Sequence, residues 1–399
     1  MTGNTEVVVI GGGYAGVMAA NRLTRRDDVR VTLINPRPHF VERIRLHQLV
    51  GGSDDAVVDY ADVLAERVRR VVGTVTRIDA AGRTLTLADG ATVGYDYLVY
   101  AVGSGSADPQ VPGAAEFAYP IAGLEQAQRL RQVVAALPAA AAVTVVGAGP
   151  TGIETAAELA EQGRAVTLVA GAVLGPYLHP RGRRAVAGRL AELGVTVLHG
   201  AGATATAVTG DTVELGDGRR LASAVTIWTA GFGVPELAAR SGLRTDAVGR
   251  LLTDETLTSV DDDRIVAAGD SAAPSDRPLR MSCQAAEPLG AQAAETVLSR
   301  IAGAEPATVA VGFLGQCLSL GRRAGVFQFA RRDDTANRLH LGGRPGAKLK
   351  EIVCWGTVKQ LALEARRPGS FNLAWVRDGH RQEALKARRG GAAAGAPRG

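Results

Sequence analysis

A chain of 399 residues with 46% hydrophobic content is long enough for two or three domains with proper cores. Its 50 glycines against 17 prolines suit a loop-rich α/β protein rather than a disordered one. The net charge of +5 is scattered and aromatics make up only 4%, so no basic stripe interleaved with aromatics argues for nucleic acid.

The chain opens with "EVVVIGGGYAGVMAANRL", which predicts a strand at 6–10, a glycine turn and a helix to about Arg26. A second strand, "VRVTLIN", completes a βαβ unit. "RVVGTVTRIDAAGRTLTLADGATVGYDYLVYAVGSG" then reads as a β-meander, with period-two alternation and Ala-Gly and Asp-Gly turns, leading into a buried strand. The same order recurs in "VTVVGAGPTGIETAAEL", "RAVTLVAG" and "GVTVLHGAGATATAVTGDTVELGDGRRLASAVTIWTAGFG". Leu87–Gly90 ("LADG") aligns with Leu215–Gly218 ("LGDG"), and Gly103 with Gly231. Glycine turn, meander and terminal glycine in one order, twice, predict two nucleotide-binding domains of common ancestry.

"DDDRIVAAGDSAAP" at 261–274 adds a charged turn, a short buried strand and a Gly-Asp end, and a helix follows toward residue 303. Residues 305–380 mix strand-like pieces with a helix at about 347–366. On that helix Ile352, Trp355, Val358, Leu361 and Ala365 fall at helical spacing, expected as a packing face, with an amphipathic membrane-surface helix as the alternative. The end, "KARRGGAAAGAPRG", is low-complexity and expected to be disordered. Cys283, Cys317 and Cys354 are far apart without a Cys-x-x-Cys, which predicts a reduced, intracellular setting and makes Cys283 a lone thiol. No signal peptide is expected, and no apolar run approaches the ~20 residues of a spanning helix. The six histidines show no metal-ligand spacing, so no metal is expected.

Gly11-x-Gly13-x-x-Gly16, with strand before and helix after, has the context a dinucleotide fingerprint requires. The first glycine makes the turn, the second admits a pyrophosphate to the backbone, and the third packs helix on strand. The acid expected on the ribose is replaced by Asn35, whose amide can still donate and accept. Gly147-x-Gly149-x-x-Gly152 repeats the fingerprint, and its acid position falls at Ala170. Without a carboxylate there, discrimination against NADPH is lost; Arg181, Arg183 and Arg184 are either in reach of a 2′-phosphate or a solvated helix start. Two dinucleotide sites imply two dinucleotides exchanging electrons, a held flavin and a nicotinamide that comes and goes.

Together these motifs resemble the two-dinucleotide-binding flavoprotein superfamily, and within it the type II NADH dehydrogenases and apoptosis-inducing-factor-like oxidoreductases. The resemblance covers roughly residues 5–300. It rests on both glycine loops, "YDYLVYAVGSG", "VTIWTAGF" and "RIVAAGD". It implies an α/β protein with two Rossmann-like domains, the second inserted in the first, plus a C-terminal α+β region. The FAD domain would span 1–111 and 249–304, the NAD(P) domain 112–248, the C-terminal domain 305–385 and the tail 386–399. By the same resemblance FAD would be held by Gly11, Gly13, Tyr14, Ala15, Gly16, Asn35, Arg43, Val75, Gly103, Gly269 and Asp270. The nicotinamide cofactor would meet Gly147, Gly149, Gly152, Ala170 and Gly231, with NAD(P)H as co-substrate.

Glu154, the acid after the third glycine, would lie near nicotinamide and flavin; a solvated first-turn acid favoured by the helix dipole is the alternative. Gln284, in "CQAAEPL", would line the acceptor side, and the two are the candidate catalytic residues. Residues 16–60 hold no cysteine, which excludes the dithiol relay of the disulfide reductases. The expected activity is an FAD-dependent NAD(P)H dehydrogenase passing two electrons to a small, quinone-like acceptor. A flavoenzyme of a biosynthetic intermediate and a redox-sensing flavoprotein stay open beside it. The expected setting is cytoplasmic, peripheral at most to the inner face of the cell membrane, with a homodimer left open.

Overall fold

The computed structural model describes residues 4–372, 377–383 and 385–387. Its first strand, β1 (Thr5–Ile10), is buried from Val7 onward because both faces are covered, as in the centre of a parallel sheet. α1 (Tyr14–Leu23) is buried along its whole length. It stops short of the predicted Arg26: the Thr24 hydroxyl donates to the Asn21 carbonyl, and Arg26 turns aside to pair with Asp28 at 2.6 Å. β2 (Val29–Asn35) pairs with β1, a helix α2 (Leu46–Gly51) follows, and β3 (Arg69–Val72) extends the sheet. The meander of Val75–Asp79, Thr84–Leu87 and Thr92–Gly94 stands as a separate antiparallel sheet. β4 (Tyr97–Tyr100) then joins the other side of β1.

From there the chain leaves through β5 (Gly105–Ser106) and builds a second parallel sheet. It comprises β6 (Ala118–Pro120), β7 (Ala142–Val146), α3 (Pro150–Glu161), β8 (Ala165–Val169), α4 (Pro180–Glu192), β9 (Thr196–Leu198) and, after another meander, β10 (Val225–Trp228). Its strand order is β6-β10-β7-β8-β9. β11 (Phe232–Gly233) runs back antiparallel to β5, and β12 (Ile265–Ala267) pairs with β4. The first sheet is thereby completed as β12-β4-β1-β2-β3, its edge supplied after the whole second sheet. The repeat recurs in the backbone: Gly11 and Gly147 take φ of 101° and 131°, Gly90 and Gly218 of 85° and 84°, Gly103 and Gly231 of 70° and 82°.

α5 (Cys283–Ile301) lies along α1, and Gly290 is what lets them touch: a Cβ there would strike the Ala15 carbonyl oxygen. A third sheet of β13 (Gly315–Ser319), β14 (Gly325–Ala330) and β15 (Ala336–Gly342) is antiparallel. α6 (Gly343–Arg366) begins four residues before the predicted 347, since Pro345 falls in the first turn, where its missing N–H costs nothing.

The predicted packing face of α6 holds at Leu361 and at Val358, which packs against the same core, and is corrected at Ile352 and Trp355. The buried residues include Lys350, Cys354, Thr357, Leu361 and Glu364, whereas Ile352 and Trp355 are each 61% exposed. Periodicity misleads here because the inward charges find buried partners: Glu364 accepts from Arg22 at 2.7 Å and Lys350 pairs with Glu154 at 2.9 Å. Of the low-complexity tail, all but residues 386 and 387 lie outside the described residues.

Candidate active site

The first glycine loop opens between β1 and α1. A Cβ on Gly16 would strike the Gly11 carbonyl oxygen, so the third glycine sets the helix on the turn, while a Cβ on Gly13 would point into open space. Gly13 is also the N-cap of α1 and supplies no side chain, which leaves the helix end available to an anion. The Asn35 amide is spent on the backbone: Oδ1 accepts from the Gly12 N–H at 2.9 Å and Nδ2 donates to the Arg37 carbonyl at 2.9 Å. It braces the loop from below. Tyr60 does the same from the other side, its hydroxyl donating to the Gly12 carbonyl at 2.9 Å. No local pattern marks Tyr60 in the sequence.

Across the cleft, Arg43 donates to Ser104 Oγ at 3.0 Å and to the Ala122 carbonyl at 3.2 Å. Ser104 donates in turn to Asp270 Oδ2 at 2.7 Å, with the guanidinium 3.5 Å from that carboxylate. These groups bound a cleft of about 470 Å³ together with Gly11, Gly13, Tyr14, Ala15, Asn35, Val75, Gly103, Gly269 and Asp270. Thus ten of the eleven positions carried over for the first dinucleotide converge, counting Arg43, and Gly16 lies just behind them. His39 lines the same cleft, its Nε2 buried without a partner among the described residues. Open glycine backbone, an uncapped helix end and a charged cluster at the far side fit a dinucleotide.

The second loop repeats the construction. A Cβ on Gly152 would strike the Gly147 carbonyl oxygen, and a Cβ on Gly149 would point into open space. Gly231 follows β10 as Gly103 follows β4. Ala170 is buried just after β8, its N–H given to the Leu198 carbonyl at 2.7 Å. Arg181, Arg183 and Arg184 form the first turn of α4, where His179 Nδ1 accepts from the Arg181 N–H and Arg183 donates to the Leu178 carbonyl.

Glu154 is not the solvated first-turn acid that the sequence left as the alternative. It is buried in α3, and Oε1 takes the Lys350 ammonium at 2.9 Å and the Ser319 N–H at 2.9 Å. Burial alone would raise its pKa, but Lys350 foremost, with His47 and the Ser319 N–H, holds it below the ordinary carboxylate range. The same pairing overcomes burial at Lys350 and keeps its ammonium charged. His47, from α2, sits 3.7 Å from Glu154 Oε2, yet burial draws its pKa down to about 4. At neutral pH that imidazole is uncharged, and its Nε2 has no partner among the described residues. Lys350 and His47 were not singled out in the sequence.

Around Lys350 the cysteines gather. Cys283, Cys317 and Cys354 lie within electrostatic reach of one another, correcting the expectation that Cys283 stands alone. Burial pushes each thiol up, Cys354 to about 12, so none is a thiolate at neutral pH. Gln284 opens α5 beside Cys283, its Oε1 buried and unpaired among the described residues. Where α2, α3, α5, α6 and β13 meet, a charged pair, a neutral imidazole and protonated thiols are therefore buried together.

A family model described as pyridine nucleotide-disulphide oxidoreductase matches residues 5–290. An NADH dehydrogenase-like protein of Mycobacterium tuberculosis is 33% identical over 353 residues, covering 81% of this chain and 87% of the relative. A type II NADH:quinone oxidoreductase of the same organism is 32% identical over 348 residues, covering 76% and 74%. Among solved structures, the sulfide:quinone oxidoreductase of Aquifex aeolicus superposes with a TM-score of 0.77 at 20% identity over 96% of this chain and 95% of that one. NDH2 of Plasmodium falciparum in complex with NADH gives 0.74 at 16% over 92% and 99%. At these identities the two structures speak to the fold.

Proposed function

The chain belongs to the pyridine nucleotide-disulphide oxidoreductase family, and from that premise we propose that it passes two electrons from NAD(P)H, through bound FAD, to a quinone-like acceptor. The observation that carries this is the pair of matching glycine cradles, one of which also meets the Arg43–Ser104–Asp270 cluster. Bound FAD supplies the chemistry, taking up a hydride from nicotinamide and releasing two electrons onward. Gly13 and the start of α1 would face its pyrophosphate. Asp270, oriented by Ser104 and Arg43, would accept from a ribitol hydroxyl.

The second cradle would bring the nicotinamide in. With Ala170 in the acid position and no carboxylate to repel a 2′-phosphate, NADPH should serve as well as NADH. Gln284 and the Lys350–Glu154 pair would face the acceptor. Lys350 would hold a donor N–H against an acceptor oxygen, and Glu154 keeps that ammonium charged inside the protein. With the thiols held protonated, no dithiol carries the electrons, so the acceptor must approach the flavin directly.

Among the described residues no helix is long and apolar enough to cross a membrane. The outward stripe of α6 offers a different contact. Lys348, Ile352, Trp355, Lys359 and Leu363 are exposed at helical spacing, with Lys359 over the Trp355 ring at 5.7 Å. Apolar and aromatic groups flanked by lysines suit a peripheral seat on an anionic lipid surface, the place where a lipid-soluble quinone would be met.

The test separates the two half-reactions. Anaerobic stopped-flow absorbance should show NADH or NADPH bleaching the flavin band and a soluble quinone restoring it. No bleaching with either nicotinamide would refute the dehydrogenase, and bleaching without restoration by any quinone would refute the acceptor class.

A further inference from the structure

Beside this buried cluster two further side chains have polar atoms without a hydrogen-bond partner among the described residues, one of them on the wall of the dinucleotide cleft. They are Tyr14, 7% exposed, and Glu287, 3% exposed, unpaired at Oη and Oε1 respectively. Their meeting is set by the helices. Cys283, Glu287 and Gly290 share one face of α5, and Gly290 is pressed against the backbone of Ala15, the residue after Tyr14. The phenol accordingly lies within electrostatic reach of Glu287, and of Cys283, Glu42 and Cys354. Tyr14 and Ala286, the neighbour of Glu287, both line the dinucleotide cleft, so the pair stands at its border.

The charge of this corner is opposite in kind to the Lys350 side. Burial alone holds the Glu287 carboxyl protonated, and burial foremost does the same for the Tyr14 phenol. A buried donor left unmatched is costly, and two left unmatched beside a cofactor cleft mark a place built to meet a ligand.

We propose that Tyr14 and Glu287 form a second binding arm for the acceptor at the border of the dinucleotide cleft, hydrogen-bonding the acceptor oxygen at the end of the ring away from Lys350. The proposal rests on the quinone reading above and sharpens it: the acceptor is a flat ring with oxygens at two opposite ends. One end meets an ammonium, the other a neutral acid and a phenol. A carboxylic acid both donates and accepts, so this arm suits a carbonyl before reduction and a hydroxyl after it. A carboxylate would accept only and would turn the oxidised ring away.

The experiment is equilibrium binding of menadione to the oxidised, FAD-loaded full chain by calorimetry, without nicotinamide. Glu287→Leu and Tyr14→Phe should each weaken binding about tenfold, the worth of one buried hydrogen bond. Glu287→Gln, which keeps a donor and an acceptor, should stay within about threefold. In turnover with menadione the Glu287→Leu loss should appear in KM rather than kcat. Wild-type binding that Glu287→Leu and Tyr14→Phe leave unchanged overturns the arm and spares the quinone reading. A wild type that binds no menadione, benzoquinone or ubiquinone analogue overturns both. Should Glu287→Leu fail to fold, Tyr14→Phe alone decides, because it removes one oxygen and keeps the ring against Phe40 at 5.0 Å.

Discussion

Lys350→Met would leave Glu154 a buried carboxylate facing only a backbone N–H and an uncharged imidazole. Breaking a buried pair from one side is expected to cost about 3–5 kcal/mol, read from urea unfolding. Adding Glu154→Gln should recover most of it, because the charge is removed with its partner. His47 yields a pH signature. Its folded pKa near 4 lies below the ~6.5 of an unfolded chain, so on acidification the unfolded state binds the proton first. Stability should therefore be flat above about pH 6.5 and fall by about 3 kcal/mol on the way to pH 4. His47→Asn should flatten that decline, which urea midpoints across the range would check; Glu154, with a depressed pKa, loses its share only further down. The legibility of these residues differs for a physical reason. Glu154 follows a glycine fingerprint, and the local spacing carries it. Nothing in "KLKE" tells which of Lys348, Lys350 and Glu351 turns inward, since the partner that decides lies on a distant helix.

For a helix the deciding quantity is which face finds partners, and α6 turns Lys350 and Glu364 inward where periodicity would expose them. Trp355→Ser is therefore expected to change stability by no more than about 0.5 kcal/mol, as at other exposed positions. The same substitution should reduce co-sedimentation with anionic vesicles, and vesicle binding equal to wild type would remove α6 as the lipid contact. At the α1–α5 contact the opposite holds. Gly290→Ala must push the helices apart at Ala15, costing about 1–3 kcal/mol as an overpacked core does, and it should loosen flavin retention. Thermal melts and the ratio of protein to flavin absorbance report both effects. The strand–turn–helix units were legible because glycine turns and β-branched runs are local. The ends of α1 and α6 were less so: Thr24 with Asn21 in one case and a first-turn proline in the other are single contacts that shift a boundary by a few residues.

The two parallel sheets and the antiparallel β13–β15 sheet belong to different parts of the chain, yet buried polar bridges tie them. Glu154 of the second sheet's helix α3 meets Lys350 of α6, and Glu364 of α6 meets Arg22 of α1, whose Asn21 neighbour also donates to the Leu361 carbonyl at 3.1 Å. Calorimetry should consequently give one cooperative transition; two resolved peaks would show the bridges to be energetically idle. The internal repeat was readable in full from paired glycines, because each repeats a backbone conformation that few other residues adopt. How the repeats share the third region was not readable, because those contacts join residues far apart in the chain. The late return of β12 to the first sheet has a further consequence, at the ribosome. β4 emerges with one edge unpaired and must wait for Ile265–Ala267 until the second sheet has been synthesised. At the usual 5–20 residues per second that is roughly 10–30 s. Throughout that interval an apolar strand edge, the kind that recruits other chains, stands open. The nascent first half is thus the stage at which this protein is most in need of a chaperone, and a stall between residues 101 and 264 should send it to aggregates more readily than a stall after 304.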